Sequence, residues 1–343
     1  MFCRDDSFLY RAKSHREMGE RMDLKSRVAH DPLSCISPVK INMGFLQKTN
    51  QPGKGEKVMA GRINDLYDEY THGLLDRREF LKQLSVFAGG AVAAAALLPL
   101  LENSHAEAQI VSKDDSRLNT ERIKYAGATG DVVAYLARPK GDEKLPGVVV
   151  IHEITALSPH IEDVTRRIAS EGFLVVAPDG LSPLGGTPED PEKARSLMQK
   201  LDSQTAIQNY VAAVRYLNTH AGSTGRIGVI GFCWGGGMAN EVAVNSPDVL
   251  AAVPYYGRQP TADDVPKIKA SLLLHYAGID EGINKGIPAY EEALKKASID
   301  YRLYMYEGAK HGFNNDTWAD RYNKETAQVA WQRTISFLKE KLK

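Results

Sequence analysis

Hydrophobic positions in the C-terminal two thirds of the chain follow two alternating patterns. Short, continuous apolar runs are typical of strands buried on both faces of a parallel sheet, and apolar residues every three to four positions are typical of amphipathic helices. The predicted strands are residues 132–137, 147–152, 173–179, 226–230, 251–257, 271–276 and 301–306. The predicted helices are residues 161–170, 191–201, 205–218 and 325–341, and one that begins directly after residue 233. The alternation predicts a doubly wound, mostly parallel α/β sheet with helices on both faces.

The N-terminal third of the chain has a different pattern. Paired arginines, Arg77 and Arg78, precede an uncharged run at residues 83–101 that is rich in alanine and glycine, and residues 106–108 form an A-x-A cleavage triplet. This arrangement resembles a twin-arginine export signal. The alternative is a membrane tether that is never cleaved, because the run is nearly long enough to span a bilayer. Alanine and glycine make the run weakly hydrophobic, which favours a signal that is cleaved near residue 108.

The chain therefore divides into three parts: residues 1–58, the signal segment at residues 59–108, and one α/β domain at residues 109–343. Residues 1–58 are polar with little periodicity, and Met59 starts a more conventional signal. We predict that translation begins at or near Met59 and that residues 1–58 are a non-native or disordered extension; peptides from that extension in a cell extract would contradict this. The expected partner is the twin-arginine translocation machinery, and the expected location is the periplasm or the exterior of the cell.

The most informative motif of the chain is Gly231-Phe232-Cys233-Trp234-Gly235, which connects an apolar strand to a helix of small residues. This is the context of a nucleophile elbow, with cysteine where the pattern G-x-S-x-G has serine. The elbow residue adopts a strained backbone, so a side chain at either flanking glycine would collide with the strand or the helix. The alternative is a glycine-rich turn with an incidental buried cysteine.

Two polar residues follow later strands in the order that an elbow nucleophile requires. Asp280 comes after the strand at residues 271–276, and His311 comes after the strand at residues 301–306. Because α/β sheets place their chemistry at the carboxyl ends of strands, we predict a triad of Cys233, His311 and Asp280. His311 would accept the thiol proton, and Asp280 would fix the tautomer and orientation of the imidazole. The alternatives are a helix or turn cap for Asp280 and a surface-loop position for His311.

An oxyanion hole requires two backbone N–H groups near the nucleophile. Trp234 directly follows the nucleophile and supplies the first N–H group. Ile154 follows the central apolar strand at residues 147–152 and supplies the second.

Together, these residues resemble the dienelactone hydrolases (carboxymethylenebutenolidases) from about residue 123 to the C-terminus. The cysteine elbow carries the resemblance, together with residues 152–154, 278–280 and 311–313. It implies an α/β-hydrolase fold, the same triad, and cleavage of a small-molecule ester or lactone through an acyl-cysteine intermediate. It also implies that Glu153 contacts the resting cysteine and helps to convert it into the thiolate when substrate binds. The alternative role for Glu153 is a strand-end carboxylate that caps the next helix.

One departure from the family pattern concerns the substrate. Dienelactone-cleaving members carry arginines that clamp the substrate carboxylate, one of them a few residues after the histidine, yet residues 313–317 contain no arginine. A bidentate arginine suits a planar carboxylate, so its absence here argues against dienelactone as the specific substrate. The prediction of ester hydrolysis stands. The loop at residues 180–190, rich in proline and glycine, is predicted to cover the substrate; the alternative is a plain connector. The candidate substrate-binding residues are Tyr256, Arg258, Trp318 and Arg321.

Composition excludes several other functions. Lysine plus arginine and aspartate plus glutamate both number 43, so the formal net charge is +0 and the chain has no electrostatic footprint for nucleic acid. No C-x-x-C or H-E-x-x-H motif occurs, and the elbow lacks the ending of a phosphate loop, so we predict neither a metal nor a cofactor. Cys233 is the single cysteine of residues 109–343, which predicts a reactive thiol rather than a disulfide.

Two other functions stay open. One is a general carboxylesterase or peptidase of the same fold, with a bulkier acyl specificity. The other is a non-catalytic sensor in which Cys233 is oxidised. The presence of Asp280 and His311 argues against the sensor, because a sensor does not need an ordered triad.

Overall fold

The computed structural model describes residues 77–88, 90 and 110–343. The predictions for residues 1–58, and for most of the signal segment at residues 59–108, lie outside the described residues. Helix α1 (Arg77–Ala88) begins at the paired arginines. No helix in the described part of the chain is long and apolar enough to cross a membrane.

A single eight-stranded sheet forms the centre of the domain. Its strands are β1 (Leu118–Ala126), β2 (Asp131–Pro139), β3 (Leu145–Ile151), β4 (Leu174–Pro178), β5 (Ser223–Phe232), β6 (Val249–Tyr255), β7 (Ser271–Ile279) and β8 (Tyr301–Lys310). They lie in the order β1-β2-β4-β3-β5-β6-β7-β8. β2 is antiparallel to both of its neighbours, and every pair from β4 to β8 is parallel. The prediction of a mostly parallel, doubly wound sheet is confirmed.

Helices cover both faces of this sheet, as predicted. The helices of the domain are α2 (Pro159–Ser170), α3 (Pro191–Met198), α4 (Ser203–Thr219), α5 (Trp234–Asn245), α6 (Glu281–Asn284), α7 (Ile287–Lys296) and α8 (Lys324–Lys341). Val148 and Val150 of β3 belong to the core cluster that contains α2 and α8 side chains, whereas Val149 and Ile151 belong to the cluster that contains α4, α5 and α7 side chains. Alternate residues of a strand point to opposite faces, so burial on both sides explains the continuous apolar runs.

The parallel strands end at the same edge of the sheet, and the predicted chemistry lies there. Glu153 comes two residues after β3 and Cys233 directly after β5. Asp280 directly follows β7, and His311 directly follows β8. This edge is where open α/β sheets place their ligands.

Candidate active site

Cys233 lies at the tip of a sharp turn between β5 and α5. Its φ of 56° and ψ of −118° are unusual for a residue with a side chain. Its main-chain N–H donates to the carbonyl oxygen of Tyr255 at 3.1 Å, which holds the turn against the neighbouring strand. A Cβ atom at Gly231 would lie 1.9 Å from the carbonyl oxygen of Gly235. The backbone therefore requires glycine there, as the elbow motif predicts.

The second elbow glycine has a matched control two residues further along α5. A Cβ atom at Gly235 would lie 2.4 Å from the carbonyl oxygens of both Ile151 and His152, whereas one at Gly237 would have ordinary contacts of 3.4–3.6 Å with Arg258. Both Gly→Ala changes gain the same helix propensity, about 1 kcal/mol. We expect Gly235→Ala to lower the free energy of unfolding by about 3 kcal/mol or more. Gly237→Ala should leave it unchanged or raised. Urea titration of both variants measures the difference, and equal stabilities would contradict the clash.

His311 and Asp280 meet beside the elbow. The Nδ1 atom of His311 lies 2.6 Å from Oδ2 of Asp280, and both side chains are less than a tenth exposed. Cys233 is near enough to the imidazole to raise its pKa, and the two residues line the same cavity. The three predicted residues therefore come together at one edge of the sheet, although 78 positions separate the first from the last along the chain. Asp280 is also the N-cap of α6, because its side chain accepts from the N–H of Ile283 at 3.4 Å, so the capping alternative describes a second role.

The electrostatics of the pair favour a charged imidazole. Burial alone disfavours the imidazolium ion, but the electrostatic interaction with Cys233 and the hydrogen bond that the ring donates to Asp280 outweigh burial. Together they raise the pKa of His311 from its ordinary value near 6.5 to about 10. The raised pKa therefore favours a protonated imidazole beside the sulfur of Cys233.

The predicted oxyanion donors border the same space as the sulfur. Ile154 and Trp234 both line a cavity of about 530 Å³ that Cys233 and His311 also line. Trp234 is the first residue of α5, where main-chain N–H groups have no partner within the helix. The same helix terminus carries the positive end of the helix dipole, which favours negative charge on the sulfur and on a bound oxyanion.

Glu153 is buried behind the nucleophile, with 1% of its surface exposed. Its Oε2 atom accepts a hydrogen bond of 2.6 Å from the side chain of Asn315, and its buried Oε1 atom has no hydrogen-bond partner in the described structure. Burial raises the pKa of Glu153, against the opposing effects of His160 and Asn315. Ser158, not Glu153, caps the next helix α2, since its hydroxyl accepts from the N–H of Ile161. Among the described contacts, Glu153 bonds to Asn315 rather than to Cys233.

The structure separates the four candidate substrate-binding residues into two groups. Tyr256 and Arg258 line the cavity, and the ring of Tyr256 lies 4.9 Å from that of His311. Trp318 and Arg321 do not line it. The Arg321 guanidinium stacks over the Trp318 ring at 5.0 Å, and both residues are buried. They support the loop behind His311 instead of forming a wall of the cavity.

Several residues that line the cavity were not indicated by the sequence. The polar ones are Ser203 and Gln204 at the start of α4, Glu241 of α5, and Gln259, Thr261 and Asp264 after β6. The loop at residues 180–190 contributes nothing to the cavity, so its prediction as the substrate cover is wrong. Asp179 explains this, because its carboxylate accepts from the N–H groups of Leu181 and Thr187 and from the hydroxyl of Thr187. Thr187 in turn accepts from the main-chain N–H of Leu157, which fixes the loop in place.

No group of histidine, cysteine, aspartate and glutamate side chains in the described residues is arranged to hold a metal ion. The polar groups of the cavity include the thiol of Cys233, the imidazole of His311 and the first residue of helix α5. A thiol and an imidazole beside a helix N-terminus can carry out acyl transfer.

Comparisons with known proteins agree with this geometry. The model of the dienelactone hydrolase family matches residues 132–342, and a model described as YqhI-like matches residues 62–90. A putative carboxymethylenebutenolidase of Saccharolobus solfataricus is 31% identical over 64% of this chain and 98% of its own length. A probable 2-oxo-3-(5-oxofuran-2-ylidene)propanoate lactonase of Bradyrhizobium is 31% identical over 60% of this chain and 88% of its own. The crystal structure of a putative dienelactone hydrolase from Klebsiella pneumoniae superposes with a TM-score of 0.60 at 28% identity, over 65% of this chain and 99% of that one.

Proposed function

Because the chain belongs to the dienelactone hydrolase family and is a hydrolase of ester or lactone bonds, we propose that it works through an acyl-cysteine intermediate on Cys233. The observation that carries this proposal is the convergence of three residues: Cys233 and His311 line one cavity, and Asp280 binds the imidazole of His311 from behind it at 2.6 Å. A thiol, an imidazole and a carboxylate in that order are the parts of a nucleophilic triad.

The proposed reaction has two halves. The Cys233 thiolate attacks the carbonyl carbon of the substrate, and the N–H groups of Ile154 and Trp234 stabilise the resulting oxyanion. The intermediate collapses to a thioester as the His311 imidazolium protonates the leaving alkoxide. In a lactone, this alcohol stays attached to the acyl group. His311 then takes a proton from water, the hydroxide attacks the thioester, and collapse expels the thiolate and releases the carboxylic acid.

The cavity also suggests how substrates are selected. Its lining carries both signs of charge, the positive one from Arg258 and the negative ones from Glu241 and Asp264. The side chain of Asn240 donates to the main-chain oxygen of Arg258 at 2.9 Å, which fixes the base of this arginine. We propose that Arg258 meets a polar substituent of the substrate. Asn315, in the stretch where dienelactone-cleaving members carry an arginine, binds Glu153 instead, so a general carboxylesterase remains the alternative.

A panel of lactones and p-nitrophenyl esters, assayed before and after treatment with iodoacetamide, tests the proposal. We expect hydrolysis of at least one of the two classes, and loss of that activity in step with alkylation of Cys233, because the thiolate is the nucleophile. Hydrolysis that survives complete alkylation of Cys233 would contradict the mechanism. Failure to hydrolyse any substrate, together with peroxide-dependent oxidation of Cys233, would favour the redox sensor.

We further propose that the protein is exported by the twin-arginine machinery and cleaved near Ala108. The paired arginines and the A-x-A triplet support this. Cleavage there would also keep the contacts at the start of the α/β domain. Ile110 and Val111 lie just after the cleavage site, and their N–H groups donate to the side chain of Asp163. A native N-terminus upstream of Arg77 would contradict cleavage.

A further inference from the structure

The segment that carries His311 runs from β8 to α8 without regular secondary structure; we call residues 311–323 the histidine loop. Asn315 ties the middle of this loop to the active site through its 2.6 Å bond to Glu153. The Oδ1 atom of Asn315 accepts from the N–H and the hydroxyl of Thr317 at 3.0 and 2.6 Å, which fixes the orientation of the amide. The position of the Glu153 carboxylate therefore depends on the position of the histidine loop.

Asp316 fastens the histidine loop to helix α2. Its Oδ1 atom lies 3.0 Å from Nδ1 of His160, and its Oδ2 atom accepts from the Arg167 guanidinium at 2.5 Å. Burial alone would raise the pKa of Asp316, but the hydrogen bonds and charges of His160 and Arg167 outweigh burial and lower it. The carboxylate is therefore ionised beside two donors of the same helix.

Arg167 is shared with a second carboxylate. Its Nε atom donates to Oδ2 of Asp163 at 2.8 Å. Asp163 is fully buried and is fixed independently, because it accepts from the N–H groups of Ile110 and Val111 at 3.0 and 2.9 Å. Asp163 therefore holds the guanidinium in one orientation, and the Nη2 atom that donates to Asp316 also donates to Asp163.

Loss of the Arg167 guanidinium would displace the histidine loop more than it would destabilise the fold. Asp163 would keep its two main-chain donors and the nearby Arg166, which also binds the carbonyl oxygen of Val111. Asp316 would keep only His160. A carboxylate that loses its partner in a shielded place is drawn toward water. Such a movement would carry Asn315 with it, and displacement of about 1 Å in a catalytic group is enough to slow a reaction roughly 100-fold.

We propose that Arg167 and Asp316 are positioning residues for the hydrolytic reaction, and that their ion pair sets the placement of the histidine loop against Glu153 and Cys233. The proposal rests on the hydrolytic function proposed above. Neither residue lines the cavity, so both act through Asn315 and His311 rather than on the substrate.

The test compares full-length variants in two assays: hydrolysis of p-nitrophenyl acetate and alkylation of Cys233 by iodoacetamide. We expect Arg167→Met to lower kcat roughly 10- to 100-fold and to slow alkylation, with KM changed by less than about threefold, because the substrate contacts are intact. Arg167→Lys should recover part of kcat, because lysine keeps the positive charge but lacks the planar guanidinium that donates to two carboxylates at once. The matched control is Arg122→Met, which removes an ion pair to Glu162 of the same helix and should keep kcat within about twofold.

A double-mutant cycle separates positioning from loss of stability. If Arg167 acts through Asp316, the double variant Arg167→Met/Asp316→Asn is no slower than the slower single variant. A kcat for Arg167→Met within about twofold of wild type would overturn the inference. So would a loss of kcat in the double variant that equals the product of the two single losses. If Arg167→Met does not fold, Asp316→Asn alone carries the test, and an unchanged kcat for it overturns the inference. If the wild type hydrolyses nothing, the proposed function fails, while alkylation, which needs no turnover, still tests the positioning.

Discussion

Replacing Cys233 with alanine is expected to lower kcat by a factor on the order of 10⁴ or more, because the reaction loses its nucleophile. The fold should survive. The thiol is a small part of the core, and alanine inherits the same backbone conformation at φ 56° that cysteine already adopts. The measurements are kcat for the best substrate of the panel and the thermal unfolding midpoint, which should move by only a few degrees.

Cys233→Ser provides the control for shape and hydrogen bonding. Serine keeps an atom that can bond to His311, but its hydroxyl is a far weaker acid than a thiol, so it is a poorer nucleophile with the same base. We expect a weak residual rate above that of Cys233→Ala. Turnover like that of the wild type in Cys233→Ala would remove the cysteine mechanism altogether.

The sharp turn at Cys233 and the place of Asp280 and His311 at the same edge of the sheet could be predicted from the sequence because each depends on local features. A glycine on each side of Cys233, and one polar residue directly after each of two apolar strands, are visible without knowing the fold. The doubly wound topology then brings Asp280 and His311 to the same edge as the nucleophile. Since parallel strands end at a common edge, the order of the residues along the chain was sufficient.

Features that depend on contacts between distant segments could not be predicted. The bond from Asn315 to Glu153 joins residues 162 positions apart, and neither side chain has a distinctive neighbour in the sequence. Arg321 and Trp318 were candidates for the substrate pocket because they follow His311, but they stack on each other and are buried. Proximity in sequence to a catalytic residue does not show which side of a loop faces the cavity.

The strand missed by the sequence analysis has a physical explanation. β1 lies at the edge of the sheet and pairs only with β2, and most of its residues are at least partly exposed. It therefore lacks the continuous apolar run that marks strands buried on both faces. The core strands β3 and β5, in contrast, are buried along most of their length and were predicted within a few residues.

Replacing Asp280 with asparagine is expected to lower kcat about 10³- to 10⁴-fold, because asparagine no longer holds the imidazole in the required tautomer and charge state. Asparagine is as good a helix N-cap as aspartate, so α6 keeps the capping bond to Ile283 and the loss reports on the triad. Asp190→Asn, at the exposed N-cap of α3, is the matched control and should keep full activity.

The pH dependence of kcat/KM for Asp280→Asn gives a sharper test, because the pKa of His311 fixes the direction of the expected shift. In the wild type the pKa of His311 is raised to about 10, so the imidazolium that protonates the leaving group is lost only as the pH rises through about 10. Asp280 is one cause of that raised pKa, so its removal should move the alkaline limb of kcat/KM to lower pH. A raised folded-state pKa stabilises the fold fully below the unfolded value near 6.5, and this contribution disappears as the pH rises through about 10. The stability difference between wild type and variant should therefore be largest below pH 6.5 and shrink toward pH 10. An alkaline limb at the same pH in both proteins would show that Asp280 does not support the charge of His311.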